Sequence, residues 1–297
     1  MRRLSLAVGP ADEGERIDRF IAGRGGISRG EARRALDAGG VFLDGRRCKV
    51  AGRAVRAGQR VVVNLAEAGR GAEAPAPLGR ERLLYADADL AAVDKPAGVA
   101  SQPTLTTDRG TLPDLVGALL GAPVVLVHRL DRDTSGVTVF ARTPTAAAAL
   151  AAAFRDGAPE KTYLALCARA PAPPAGRVDA ALGKDPGRAG LRRVDPRGEA
   201  AATGYRTLRE GPLAALVEAR PETGRTHQIR VHLAHVGAPL LGDARYGGPR
   251  RVGEVSVPRV LLHARRLELA HPATGARLVL EAPVPEDFLA VERALLP

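Results

Sequence analysis

The sequence predicts an α+β protein of two domains, the larger built on a mainly antiparallel sheet. Three observations lead there. The chain has 297 residues, more than one hydrophobic core usually organises. Many short runs rich in Val and Leu are separated by turn residues and interrupted by only a few helical patterns, with no internal repeat. Residues 66–79 mix Ala, Gly, Pro and Glu without apolar periodicity, which is the composition of a linker. The expected division is a mobile tail at 1–14, a small domain at 15–65, the linker at 66–79 and a large domain at 80–297.

Composition narrows the class of partner. Hydrophobic residues make up 45% of the chain and aromatics only 3%, so the cores must be built from Ala, Val and Leu. The formal net charge of +11 and a pI of 10.6 favour a polyanion. Cys48 and Cys167 form no metal-spaced pair and fit a reduced, cytoplasmic setting. No apolar run reaches membrane-spanning length, and the first residues lack a signal-type apolar core.

In the small domain, Ile17, Phe20 and Ile21 share one face of a helix starting near Glu15. Ser28 and Glu31 have capping-box spacing and open a second helix through Ala38, which Gly39-Gly40 can end. Val41–Leu43 reads as a strand, Asp44-Gly45 as a hairpin turn, and Val61–Asn64 as a later strand. Arg29, Arg33 and Arg34 on the helix and Arg46 in the hairpin suit nucleic-acid phosphates. The span from about Arg16 to Leu65, above all Ile27-Ser28-Arg29-Gly30-Glu31-Ala32-Arg33-Arg34, resembles the small S-four-type RNA-binding module. That likeness puts Ser28, Arg29, Arg33, Arg34 and Arg46 on an RNA-binding surface.

The large domain opens with paired strands, Leu83–Tyr85 and Leu90–Val93, around Asp87-Ala88-Asp89. Lys95-Pro96-Ala97-Gly98 follows, with Lys95 either capping a strand end or touching a ligand. Thr111 precedes a helix ending at Gly121. Two apolar runs, Val124–Val127 and Val137–Phe140, then flank His128-Arg129-Leu130-Asp131-Arg132-Asp133-Thr134-Ser135-Gly136. So many polar groups between buried strands must pair with one another or serve chemistry. Thr143-Pro144 opens an Ala-rich helix through Phe154; Lys161–Leu166 is a strand; Ala170–Thr203 reads as an Arg-rich hairpin excursion. After a strand at Leu216–Ala219, Ile229 and Leu233 fit a helix starting at Thr226. Arg265–Leu269 and Leu278–Glu281 are terminal strands, and Pro285–Leu295 a closing helix.

The central run resembles the catalytic loop of the RluA-type pseudouridine synthases, whose pattern is His-Arg-Leu-Asp, a two-residue gap, then Thr-Ser-Gly. Lys161-Thr162-Tyr163 and Gly224-Arg225-Thr226-His227-Gln228-Ile229-Arg230 match two further segments. The resemblance implies a central, mostly antiparallel mixed sheet with a cleft across it. It implies isomerisation of uridine in RNA, most of all large-subunit ribosomal RNA, with no cofactor; no metal is expected, and the chain is expected to act as a monomer. It makes Asp131 the carboxylate acting on the sugar, Tyr163 the ring against the target base, Arg225 the cation paired with Asp131, and Arg129 the side chain filling the gap left by the flipped base. His128 is expected to orient the loop, and Asp133 is a lesser candidate for the carboxylate. A catalytically silent RNA-binding or ribosome-assembly protein, and the same activity on transfer RNA, remain alternatives. A metal site at His227, His232 and His235 is disfavoured, since no acidic partner has ligand spacing.

Overall fold

The computed structural model describes residues 2–65, 76–102, 110–188 and 190–296. Ten residues of the expected linker, 66–75, lie outside that set. The chain divides into two compact units, one within Met1–Ala76 and Gln102–Leu115, the other within Pro77–Ser101 and Val116–Pro297. Among the described residues no helix is long and apolar enough to cross a membrane.

The first unit holds strand β1 (Arg2–Ala7), helices α1 (Ile17–Gly25) and α2 (Arg29–Asp37), and strands β2 (Val41–Leu43), β3 (Arg46–Arg47) and β4 (Arg60–Leu65). Its sheet has the order β1-β4-β2-β3. The mobile tail expected at 1–14 is wrong in its first half: β1 pairs with β4 along six positions, Arg2↔Leu65 to Ala7↔Arg60. The alternation Leu4, Leu6, Val8 explains it, because a period of two lays all three against the core of Ile17, Phe20 and Leu36. A 3-10 turn at Pro10–Asp12 follows, and its Asp12 accepts from Arg24 at 2.7 Å. The capping box of α2 closes as expected, Glu31 N–H donating to Ser28 Oγ at 3.1 Å and Ser28 N–H to the Glu31 carboxylate at 2.8 Å. Asp44 (φ 49°) and Gly45 (φ 77°) both take left-handed dihedrals, the requirement of a tight two-residue hairpin turn.

The second unit opens with strands β5 (Leu83–Ala86) and β6 (Leu90–Lys95); helix α3 (Leu112–Leu120) follows in the chain. Next come strand β7 (Val125–Leu126), strand β8 (Ser135–Ala141), helix α4 (Pro144–Arg155), and strands β9 (Glu160–Cys167), β10 (Ala175–Asp179), β11 (Leu182–Lys184), β12 (Arg192–Val194), β13 (Ala202–Glu210) and β14 (Ala215–Pro221). Helix α5 (Gln228–His235), strands β15 (Arg251–Val252), β16 (Val255–Ser256), β17 (Leu262–Ala270) and β18 (Arg277–Glu281), and helix α6 (Glu286–Leu295) complete it. The main sheet has ten strands in the order β10-β13-β14-β9-β17-β8-β6-β5, with β18 on β17 and β7 on β8. The β8–β17 pair is parallel, whereas β6–β8, β9–β14 and β9–β17 are antiparallel. It is the mixed, mainly antiparallel sheet that the sequence predicts.

Alternation along β9 clothes the sheet on both sides. Ala165 and Cys167 pack with Ile229 and Leu233 of α5, while Leu166 packs with Phe288 and Val291 of α6. Helix α4 lays Ala146 and Leu150 on Val137 and Val139 of β8. Thr143 caps it, accepting from Ala146 N–H at 3.1 Å. The Ala170–Thr203 excursion contributes β10 to the sheet edge and folds β11 and β12 into a hairpin of their own.

Candidate active-site cleft

A cleft of about 380 Å³ lies over β9, between the C-terminal turn of α4 and the N-terminus of α5. Its walls include Arg129, Asp131, Tyr163, Arg225, His227 and Arg230. The loop leading into β8 supplies the first two, and it is bonded at each of four successive carbonyls. Leu130 O accepts from Ser101 Oγ at 2.7 Å and Asp131 O from Thr134 N–H at 3.1 Å. Arg132 O accepts from Lys95 Nζ at 2.8 Å and Gly98 N–H at 2.9 Å; Asp133 O accepts from Arg259 at 3.2 Å. A backbone so fully engaged holds a side chain in one place, which a reacting group needs.

Buried groups around the loop extend this support. Lys95 is fully buried and donates also to Pro96 O (2.9 Å) and Val99 O (2.8 Å), so its ammonium caps carbonyls rather than facing a ligand. Burial pushes its pKa down to about 7 against the opposing pull of Asp133 and Asp131. Ser135 Oγ lies 3.0 Å from His263 Nδ1, and His263 Nε2 donates to Ala282 O at 3.3 Å, so the serine proton goes to Nδ1. Gly136 has φ 113°, and a Cβ there would sit 2.2 Å from Ala264 O on β17. Only glycine lets β8 and β17 approach so closely. His128 accepts from Val139 N–H at 2.9 Å and stacks on Phe154 with ring centroids 4.4 Å apart. Burial drives its pKa down to about 3, leaving a neutral acceptor that orients the loop.

Asp131, 20% exposed, meets a guanidinium, and that guanidinium belongs to Arg230. Arg230 Nη1 donates to Asp131 Oδ2 at 2.9 Å, while its Nε and Nη2 grip Asp243 at 2.6 and 2.9 Å. The expected pairing of Asp131 with Arg225 is therefore corrected. Arg225 lines the cleft but donates to Ala200 O at 3.1 Å and Glu199 at 3.0 Å. The cause is local backbone: His227 adopts φ 60°, ψ 17°, and α5 starts only at Gln228, not at Thr226. Arg225 thus stays on the loop before the helix, and Arg230 falls in the first turn, 7% exposed and 5.0 Å over the Tyr246 ring. Gln228 fixes that loop, accepting from Arg225 N–H and Thr223 and donating to Ala202 O and Thr203.

Tyr163 projects from β9 into the same cleft; burial and then the Asp131 charge raise its pKa, keeping the phenol protonated. Lys161, two residues earlier on the same face, also lines the cleft, and burial lowers its pKa. Arg129 is exposed at the rim. Asp133 is exposed, outside the lining residues, with its carbonyl held by Arg259. His227 and His232 do not converge on a metal: His232 bonds Thr203 and Ala180 O, and His227 bonds Tyr246. Asp87, Asp89 and His271 do bring donor atoms within 4.8 Å of one another. Asp87, however, already accepts from Tyr85, two backbone N–H groups and His271.

In the first unit, Arg29 and Arg33 each donate to the buried Asp18 carboxylate, at 3.1 and 3.0 Å, and Arg16 joins them at 3.1 Å. Arg46 is exposed on β3. Ser28 Oγ is engaged in the helix cap. Arg230, Asp243 and Tyr246 are the residues sequence reasoning missed, and His227 was weighed only as a metal ligand. Their signal was an Arg on a helix turn with buried neighbours, which demands a carboxylate, and an Asp set in the apolar run Leu240-Leu241-Gly242.

Residues 89–235 match the family model described as RNA pseudouridylate synthase, and residues 15–61 match the S4 domain. An uncharacterized RNA pseudouridine synthase of Chloroflexus aurantiacus is 39% identical, over 98% of this chain and 93% of that one. The ribosomal large subunit pseudouridine synthase D of Haemophilus influenzae is 33% identical over 98% and 94%. Human RNA pseudouridylate synthase domain containing 4 superposes with a TM-score of 0.58 at 30% identity, covering 72% of this chain and 92% of that structure.

Proposed function

Since the chain belongs to the RluA-type RNA pseudouridine synthases and carries an S4 domain, we propose that it isomerises uridines of large-subunit ribosomal RNA with Asp131 as the carboxylate that acts on the ribose. The activity itself, uridine to pseudouridine in RNA, comes with the family. The reaction breaks the bond from ribose C1′ to N1, turns the base, and joins C5 to C1′; C5 loses its proton and N1 takes one up, so nothing is oxidised or reduced and no atom is gained overall.

The observation that carries the assignment is that Asp131, the one carboxylate among the described lining residues, is held by Arg230, which the buried Asp243 grips from behind the cleft wall. A carboxylate in a closing cleft tends to take up a proton, and a fixed guanidinium opposes that. Asp131 acts as nucleophile at C1′ or base at C2′. Tyr163 stacks on the extruded uracil, a contact worth about 1–3 kcal/mol per base. Arg129 at the rim takes the place the uracil leaves in the RNA stack. Arg230, in place of Arg225, pairs with Asp131 through a 2.9 Å hydrogen bond. Arg29, Arg33, Arg34 and Arg46 of the S4 domain meet RNA phosphates.

The ribosomal target is supported by the named activity of the Haemophilus relative at near-full coverage. The two buried free cysteines suit a cytoplasmic enzyme, which we take to act as a monomer. Purified protein and large-subunit ribosomal RNA carrying 5-tritiated uridine test the proposal: tritium must appear in water. The positions converted must match those missing from RNA of a strain without this protein. Release from transfer RNA alone would overturn the target.

A further inference from the structure

A chain of polar contacts, hydrogen-bonded as far as His227, comes within 3.8 Å of Asp131 from a side that neither the family match nor the reading above uses. Arg192 N–H, on β12 of the excursion hairpin, donates to Tyr246 Oη at 3.0 Å. Tyr246 Oη lies 2.6 Å from His227 Nδ1. His227 Nε2 lies 3.8 Å from Asp131 Oδ2, the oxygen that Arg230 also bonds. Arg192 N–H donates to the phenol oxygen, whose own proton has no other acceptor among the described contacts; sending it to Nδ1 satisfies both groups and leaves the imidazole proton on Nε2, facing Asp131. Both contacts fall on Oδ2, so Oδ1 is the oxygen left to the substrate.

The backbone makes the same point. His227 stands at φ 60°, ψ 17°, a left-handed conformation that glycine or asparagine adopts at lower cost. Strain at a cleft-lining residue signals a side chain needed for its chemistry. A neutral imidazole is required for this chain. Burial lowers the His227 pKa, Asp131 and Asp243 oppose it, and Arg230 and Arg245 reinforce it; Tyr246 is the remaining group facing the ring.

We infer that His227 is a positioning residue for Asp131: a neutral Nε2–H donor, oriented by Tyr246 and the hairpin backbone, that closes onto Oδ2 when a nucleotide enters and turns Oδ1 toward the ribose. Long donor–acceptor distances in an empty site commonly shorten in the substrate complex. The inference rests on Asp131 being the reacting carboxylate.

The test uses the full chain and a large-subunit ribosomal RNA transcript bearing 5-tritiated uridine. His227→Asn keeps a residue that tolerates the left-handed backbone. Its single-turnover rate at saturating RNA should fall about 10- to 100-fold, the rate equivalent of one hydrogen bond to a charged group. RNA affinity should stay within about twofold and the melting temperature should hold or rise. His227→Gly should be more stable than His227→Asn and equally slow. Imidazole ¹⁵N spectra should show Nδ1 bare and Nε2 protonated in the parent, and a mixture of tautomers in Tyr246→Phe. A wild-type rate in His227→Asn, or a proton resident on Nδ1 in the parent, overturns the inference. Asp131→Asn separates the two failures: inactive beside a fully active His227→Asn, only the inference falls; active itself, the Asp131 assignment falls and takes the inference with it.

Discussion

Replacing Arg230 with Met should cost stability and rate through two different carboxylates, which a second substitution can separate. Arg230 is 7% exposed and Asp243 1%, and the pair is held by two bonds of 2.6 and 2.9 Å. Removing the cation leaves Asp243 charged and buried, a loss of about 3–5 kcal/mol. At roughly 2–4 °C per kcal/mol, the melting transition of the large unit should drop on the order of 10 °C. Asp243→Asn in the Arg230→Met background removes the stranded charge and should recover most of that. Asp131 would still lack its guanidinium, worth about 1.5–3 kcal/mol as a charge-assisted hydrogen bond, so the rate should remain roughly 10- to 100-fold low. Arg225→Ala should cost at most a few-fold, since its partners are Glu199 and Ala200 O. Thermal denaturation and single-turnover tritium release on the four proteins provide the readout. A doubly substituted protein that is restored in stability and turns over at the parent rate would refute the reasoning, as would an Arg225→Ala loss equal to that of Arg230→Met.

Other consequences follow from neighbouring geometry. Gly136→Ala should destabilise by roughly 2–5 kcal/mol in chemical denaturation, because its Cβ would meet Ala264 O at 2.2 Å with φ at 113°; a near-neutral result would mean β8 and β17 are not so close. His263 is fully buried and its pKa is held down to about 4 by burial, below its ordinary 6.5. Between those values the unfolded chain binds the proton and the folded one does not, so stability falls as pH drops from about 6.5 toward 4, by up to roughly 3 kcal/mol, and this contribution is flat above pH 7; unchanged denaturation midpoints from pH 7 to 5 would contradict it. Asp18→Asn adds a unit of positive charge yet should weaken RNA binding and lower the salt slope by roughly one to two, because Arg16, Arg29 and Arg33 lose the carboxylate that gathers them. Tighter binding in that variant would show that charge alone matters there.

Much of the architecture was legible because local signals agreed with one another. The Ser28–Glu31 box, the Asp44-Gly45 turn, Thr143 before the Ala-rich helix and the apolar runs of β6, β8 and β9 each carry their own short-range physics, and each stands where expected. Strand β1 was missed because Leu4-Ser5-Leu6 is a two-residue alternation too short to stand out; its partner β4 is over fifty residues away. At the site, Asp131 and Tyr163 could be named from sequence, and the structure brings both to one cleft. The choice between Arg225 and Arg230 could not be made that way. Both lie in one short segment, and the outcome turns on a left-handed backbone at His227 and on a carboxylate, Asp243, supplied by a later turn. The excursion read as an Arg-rich hairpin, but its inward contacts stayed hidden, because they run through a backbone N–H at Arg192 and the Glu199 side chain, which no composition reveals.

Everything said of the reaction depends on a single anion beside the sugar. Asp131→Asn changes one oxygen to nitrogen at a side chain whose loop is held by bonds to its backbone. Mixed at saturating concentration with 5-tritiated large-subunit ribosomal RNA, that variant should bind as the parent does and release no tritium over many parent half-lives. Release at the parent rate would contradict the account.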